Sequence, residues 1–383
     1  MASSKSLNID ILESIKSISP DVWNNCVGAD EPFAKHEFLS ALEDSGCTAA
    51  KAGWMPQHFV LYDEQGTLLA CSPAYLKGHS YGEYVFDWSW ADAYERAGGR
   101  YYPKLQCAIP FTPVSGHRLL LAPNAPQDCQ ALLLEAMVAR AKELHLSSLH
   151  ITFTTEQEWK VAQNNGFLGR IGHQYHWDND GYNSFDDFLD RLSSRKRKSI
   201  RKERQAVKDS GIALRCLSGT DITENHWDAF YSFYLDTSGR KWGHPYLNRD
   251  FFSLLGQRMG DDVVLVLAYQ DDTIVAGALN LKGDKTIYGR YWGCREDFRF
   301  LHFEACYYQA IDYAITHRLA RVEAGAQGQH KIQRGYLPQK TYSSHWIADR
   351  GFQRAVEDFL KHDQKVNELE MKELSSLSPY KRS

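Results

Sequence analysis

Apolar and polar positions along the 383-residue chain fall into blocks of alternating strand and helix period, the pattern of an α/β protein. In the first half, helical stretches are predicted around PDVWNNCV and PFAKHEFLSALEDSG. QHFVLYDEQGTLLACSPAYLK then sets two apolar runs on either side of DEQG and reads as a hairpin. RLLLAP is a short strand, and QDCQALLLEAMVARAKELH carries Leu133, Met137, Ala141 and Leu144 at helical spacing. SLHITFT is a strand, and EQEWKVAQNNGF a helix closed by Asn165 and Gly166. Residues 81–118, dense in aromatics, Gly and Pro, show no period and predict a long surface excursion or lid. In the second half IALRCLS is a strand and NHWDAFYSFYLDTSG a helix. DDVVLVLAYQDDTIVAGALNLKGDKTIYGRYWG makes three strands joined by DD and GD turns, LHFEACYYQAIDYAITHRL a long helix and ARVEAGA a strand. The tail DQKVNELEMKELSSLSPYKRS predicts an exposed helix and a disordered end. Both halves share one element order without a residue-level repeat.

Composition narrows the class. The length predicts two domains, and 43% hydrophobic with 13% aromatic residues supplies their cores. A formal net charge of −4 excludes a generally basic nucleic-acid coat, so no DNA partner is expected. No apolar run reaches the ~20 residues of a membrane span, and MASSKSLNIDILESIKS lacks the apolar core of a signal peptide. The eight cysteines are scattered without CxxC. A cytoplasmic protein without integral membrane association is expected. Neither HxxxH nor HExxH occurs, and His173 and His176 in GHQYHW have no ligand-spaced partners, so no metal is expected. The missing GxSxG elbow disfavours a serine hydrolase.

Charge concentrates at SSRKRKSIRKER, residues 193–204, where seven of twelve residues are Lys or Arg and only Glu203 opposes them. On a helix over 185–209, Arg197, Arg201, Arg204 and Lys208 share one face, with Lys198 and Lys202 beside it. Such a face suits phosphates, since Arg binds them bidentately and Lys adds mobile charge. A solvated helix that only maintains solubility is the other reading.

The element order, WKVAQNNGF before a final hairpin, and FDDFLDRLSSRKRKSIRKERQAVKDSGIALR between the halves resemble Fem-type aminoacyltransferases built from tandem GNAT acyltransferase folds. Arg197, Ile200, Arg201 and Lys202 stand where the Fem-type motif has matching residues. YGRYWG, LHFEACYYQAIDYAI and VEAGAQGQHKIQRGYLPQKTYSSHWI are similar to the bacterial Fem-like peptidoglycan biosynthesis or recognition family. The resemblance implies a mixed-sheet α/β fold of two GNAT-like domains, 1–180 and 211–383, joined by a basic helical segment, 181–210, with the catalytic cleft in the second domain. It implies an acyl-CoA or aminoacyl-tRNA donor, with tRNA a possible partner, and a small-molecule, peptide or glycan-precursor amine as acceptor. The Gly-rich pyrophosphate loop usual in GNAT enzymes is missing from WGCREDFRFLHFEA, where Arg295 and Arg299 remain as anion ligands beside Glu296 and Asp297.

VEAGAQGQHKIQRGY carries the densest chemistry. Acyl transfer to an amine needs a base and donors for the developing oxyanion. Glu323 and His330 are the candidate bases. Lys331, Arg334 and Gln327 are candidate substrate ligands, with Arg290 and Tyr291 on the adjoining strand. A structural ion pair between Glu323 and an arginine such as Arg290 is the alternative. In the first half, Asp87 and Trp88 of FDWSW are candidate liners of an acceptor groove, or simply packing for the excursion. The rival function is a non-catalytic module that binds muropeptides or a protein on the same scaffold.

Overall fold

The computed structural model describes residues 7–241, 245–325 and 328–381. Its strands run β1 (Asn8–Leu12), β2 (Trp54–Pro56), β3 (His58–Tyr62), β4 (Leu68–Ser72), β5 (Ala74–Lys77), β6 (Lys104–Cys107), β7 (Leu120–Leu121) and β8 (Ser148–Thr154). They continue as β9 (Leu168–Asp178), β10 (Ile212–Leu217), β11 (Val263–Gln270), β12 (Thr273–Lys282), β13 (Thr286–Cys294), β14 (Arg321–Glu323) and β15 (Leu337–Ile347).

The chain divides into two compact units, Met1–Gly172 with Lys340–Glu368 and His173–Gln339 with Leu369–Ser383. The first change of unit therefore lies within β9, close to the expected residue 180. The segment 340–368, expected in the second domain, belongs to the first, because β15 pairs antiparallel with β8 from Tyr342↔Thr154 to Ile347↔Ser148. Pairing between strands so distant in sequence leaves no local trace in the pattern. The basic segment belongs to the second unit.

In the first unit β1, β3, β4 and β7 form one sheet, and β2, β5, β6, β8 and β15 lie in order in another. The helix Cys129–Glu143 buries Leu133, Leu134, Met137 and Ala141 with Phe59, Leu105, Leu149 and Ile151 in a shared core. The helix Glu156–Asn164 opens on a capping box in which Thr155 and Glu158 satisfy each other's backbone N–H groups. Residues 81–118 are no unstructured excursion. They contain the helix Trp88–Arg96 and β6, a fully buried strand between β5 and β8. Its polar Lys104 and Gln106 broke the apolar period, yet both side chains have buried partners.

In the second unit the strand order is β10, β11, β12, β13, β14, β9. The meander β11–β12–β13 is antiparallel, and β14 joins β13 in parallel after the crossover through the long helix. The helix Glu224–Lys241 lies so close to β13 that a Cβ on Gly293 would collide with the Phe233 carbonyl oxygen. The basic segment is two helices, Phe185–Arg191 and Ser194–Asp209, broken at Leu192 and Ser193. Phe188, Leu189, Leu192 and Ile200 anchor it in a core with Trp177, Tyr308, Ile311 and Tyr336. The tail is ordered through Lys381: Ser193 N–H donates to Pro379, Lys381 N–H to Arg191, and the Tyr380 hydroxyl to Gly335. Among the described residues no helix is long and apolar enough to cross a membrane.

Candidate active site

The β13–β14 ladder covers only Thr286–Tyr288 against Arg321–Glu323. Beyond Tyr288, β13 continues to Cys294 while β14 ends, so among the described residues this edge of β13 has no ladder partner on β14. Just past the point of divergence the β12–β13 register jumps from Asn280↔Gly289 to Leu279↔Tyr291, which makes Arg290 the extra residue of a β-bulge. Bulge and divergence together turn backbone groups out of the ladder, where an N–H can meet a carbonyl oxygen that gains charge.

Glu323 stands at the mouth of this gap. It is 6% exposed and is registered with Tyr288 on one side and His176 of β9 on the other. His176 Nε2 lies 3.7 Å from Glu323 Oε1. Burial, reinforced by the positive charges of Arg321 and Lys331, pushes the His176 imidazole down to about 3, so the ring is neutral at ordinary pH. Sequence reading weighed His176 only as a metal ligand and set it aside, since its pairing with Glu323 arises only when β9 meets β14.

After Glu323 the chain turns through Gly325, at φ +76°, into the turn Gln329–Arg334. Lys331 is buried there, and its Nζ donates to the carbonyls of Ala324 (2.5 Å) and Gly325 (3.0 Å). It thereby pins the residues that follow Glu323. Burial brings its ammonium down to about 7. His330 is exposed and its Nε2 lies 2.9 Å from the Tyr307 hydroxyl. Gln327 lies outside the described residues. Arg290 and Tyr291 are half-buried on the bulge, with the Tyr291 ring against Tyr234.

Arg334 is held inside the unit. Its guanidinium donates to Glu203 (3.0 Å) and the His330 carbonyl (2.8 Å) and lies 3.4 Å from the Phe303 ring centre. Glu203 also accepts from the Tyr308 hydroxyl. Tyr307 and Tyr308 sit in a π-helical turn, Glu304–Tyr308, within the long helix. Such turns recur where a helix must aim side chains at a site.

The basic face is largely neutralised. Arg197 pairs with Asp190 and Arg201 with Asp186, each at 2.8 Å. Arg204 reaches Glu304 and Asp312 at 3.0 and 2.6 Å. Lys198 and Lys202 are exposed on the same helix, and Arg295 and Arg299 are exposed in the loop before the long helix.

In the first unit the structure buries Asp87 and leaves Trp88 41% exposed. The Asp87 carboxylate accepts from Lys104 Nζ (2.5 Å) and the Tyr101 hydroxyl (2.6 Å), and Lys104 also donates to Glu83 (2.8 Å). Desolvation works against the Asp87 charge, but Lys104, His150 and the hydrogen bonds outweigh it and hold the carboxyl well below its usual range. His150 and His345 face each other through their Nδ1 atoms at 2.7 Å, and burial keeps both neutral. The two candidate groups, Asp87 with Trp88 and Glu323 with its loop, belong to different units.

A bulged meander that diverges from a parallel strand, fed by a crossover helix, gives the second unit a GNAT-like fold. The structure of FemX has TM-score 0.57 at 12% identity, covering 89% of this chain and 98% of that one. The C-terminal domain (DUF2156) of a putative lysylphosphatidylglycerol synthetase from Agrobacterium fabrum has TM-score 0.56 at 8% identity, covering 89% and 95%. L-PGS from Bacillus licheniformis has TM-score 0.52 at 9% identity, covering 84% and 95%. The sequence matches the FemAB-like family, described as peptidoglycan biosynthesis/recognition, over residues 14–382, and the chain belongs to that family. A comparison with curated proteins returns no match.

Proposed function

We propose that the protein is an N-acyltransferase that moves an acyl or aminoacyl group onto an amine of a cell-envelope precursor, at the gap between β13 and β14. The buried Glu323 carboxylate at the mouth of that gap carries the reading. An amine must lose a proton to form an amide, and a fixed carboxylate beside exposed strand backbone supplies both the proton acceptor and the oxyanion donors. Direct attack by the amine on the donor's carbonyl is the mechanism: the C–N bond forms, the donor's thioester or ester bond breaks to release CoA or tRNA, Glu323 takes the amine proton, and Lys331 holds the loop behind it. His330, tied to Tyr307, is the second polar group facing this loop. Membership in the FemAB-like family and the FemX-like fold support a cell-envelope acceptor.

The donor is an acyl-CoA or an aminoacyl-tRNA. Its phosphates fall to Lys198, Lys202, Arg295 and Arg299, because half-buried Arg197 and exposed Arg201 already have acidic partners. The same neutralisation favours a second reading, a binding module without donor chemistry. The deciding experiment incubates the purified chain with acetyl-CoA, longer acyl-CoAs or aminoacyl-tRNA, with amine acceptors, and follows amide product by mass spectrometry. Product from one donor class supports transfer and names the donor. Silence from all, together with muropeptide binding, establishes the binding module instead.

A further inference from the structure

Two consecutive tyrosines of the π-helical turn Glu304–Tyr308 clamp the turn Gln329–Arg334. The Tyr308 hydroxyl donates to Glu203, which holds Arg334 at the end of that turn. The Tyr307 hydroxyl lies 2.9 Å from His330 Nε2 at its start, and the Tyr307 carbonyl accepts from the Tyr336 hydroxyl (3.1 Å). The His330 ring centre is 5.6 Å from that of Phe303, 5.7 Å from Tyr307 and 6.0 Å from His302. Gly328, at φ +104°, leaves room for the imidazole, with which a Cβ would collide. His302 in turn meets the Trp292 ring at 5.4 Å, on β13 past its divergence from β14. A row of rings thus crosses from this part of β13 to the turn that carries His330.

Burial sets the direction of the Tyr307 bond. Tyr307 is 4% exposed, and His330 is the hydroxyl's one hydrogen-bond partner among the described residues. Burial pushes the hydroxyl's pKa above its ordinary value, so it keeps its proton. If Nε2 carried the imidazole hydrogen and donated, the phenolic hydrogen would be buried without an acceptor, which folded proteins avoid. The hydroxyl therefore donates and Nε2 accepts. A neutral imidazole that accepts at Nε2 carries its hydrogen on Nδ1. His330 is exposed, so a bound molecule can reach the residue.

We propose that Tyr307 locks His330 in the Nδ1–H tautomer, so that His330 serves the site as a hydrogen-bond donor and Glu323 is left as its base. The role in the reaction rests on the transferase reading. As the amine adds and the carbonyl electron pair moves onto oxygen, His330 Nδ1–H donates a hydrogen bond to that oxygen and keeps its own proton. The C–N bond forms, the ester or thioester bond breaks, and the amine proton goes to Glu323. Tyr307 touches none of the reacting atoms and is a positioning residue.

The test uses the full chain with ¹⁵N-labelled histidine, the His330 ring resonances being assigned by their loss in His330→Gln. Long-range ¹H–¹⁵N correlation at about pH 8, above the ordinary histidine range, reads the tautomer of the neutral ring without any substrate. The wild type is expected to show a protonated Nδ1 and a bare Nε2. Tyr307→Phe is expected to release the ring into the Nε2–H form, since the donor to that nitrogen is gone. A wild-type ring protonated on Nε2, or a tautomer unmoved in a folded Tyr307→Phe, overturns the proposal; if that variant does not fold, the wild-type ring still decides. Turnover tests the role. His330→Ala is expected to lower kcat about 10²-fold with acceptor KM little changed, while His330→Gln, which keeps an N–H donor but no base, retains about tenfold more turnover than His330→Ala. Equal loss in the two variants overturns the donor role. A wild type with the Nδ1–H tautomer and no turnover from any donor keeps the lock and removes the transferase reading, the oxyanion role with it.

Discussion

Glu203, the one acid among the seven bases of residues 193–204, accepts a hydrogen bond from Arg334 over 3.0 Å. The side chains are 12% and 7% exposed, so this is a buried ion pair and not a surface one. It ties the basic helix to the turn that follows Glu323, and Tyr308 of the π-helical turn joins it through its hydroxyl. The lone acid in the cationic block is thus one of its ties to the second unit, beside buried Ile200 and the Arg204 ion pairs.

Removing Glu203 leaves the Arg334 charge buried without its partner. Glu203→Leu is expected to lower unfolding free energy by about 3 kcal/mol, and Tyr308→Phe by about 1 kcal/mol. The double variant Glu203→Leu, Arg334→Met should recover most of the larger loss, because no uncompensated charge remains. Denaturant unfolding of the three variants checks this. An additive double variant would mean that the two residues do not act as a pair.

The meander, the long helix and the strand ending at Glu323 were all legible, because each is carried by its own apolar period. What was lost depends on distant pairing. β6 reads as polar until Lys104 meets Glu83 and Asp87, and His176 is an ordinary strand histidine until β9 lies beside β14. Arg334 and Glu203 illustrate the same limit. The sequence shows Arg334 as a candidate substrate ligand and Glu203 as the lone acid of a basic run, and only the fold shows that they hold each other. Tyr380 sits in a polar tail whose composition gives no hint of the core contacts with Phe188 that order it.

If Glu323 is the proton acceptor, Glu323→Gln keeps the shape of the side chain while removing its charge and basicity. Turnover is expected to fall by about 10²–10⁴, with acceptor KM changed much less. The comparison is steady-state kinetics on both proteins beside their thermal unfolding. A variant that folds and turns over at the wild-type rate would take Glu323 out of the mechanism.

Three buried histidines make the fold acid-sensitive. His150 and His176 are pushed down to about 3 and His345 well below its ordinary value, in each case first by burial. All three stay neutral in the folded chain while the unfolded chain protonates them below about pH 6.5. The unfolded state then binds more protons, so stability is lost as pH falls from about 6.5 toward 3. Three protons give a slope of about 4 kcal/mol per pH unit well inside that window. Unfolding free energies from pH 7 to 4 should show this fall, and His176→Leu should flatten it by about a third. A slope unchanged in that variant would mean that His176 is protonated in the folded state.

Residues 379–381 are structural. Tyr380 packs on Phe188 and donates to the Gly335 carbonyl, and the backbone around it bonds to Arg191 and Ser193. Leu192 and Ser193 are the break between the two basic helices, so the tail also fixes the angle at which the helix Ser194–Asp209 leaves. Tyr380→Ala removes a large half-buried ring and a hydrogen bond together, and should cost about 3 kcal/mol. Tyr380→Phe keeps the ring and should cost about 1 kcal/mol. Amide hydrogen exchange adds a spatial test: in Tyr380→Ala, protection should fall at residues 191–200 while β11 and β12 keep theirs. Loss spread evenly over both units would mean that the tail supports global stability alone and does not brace the basic helix.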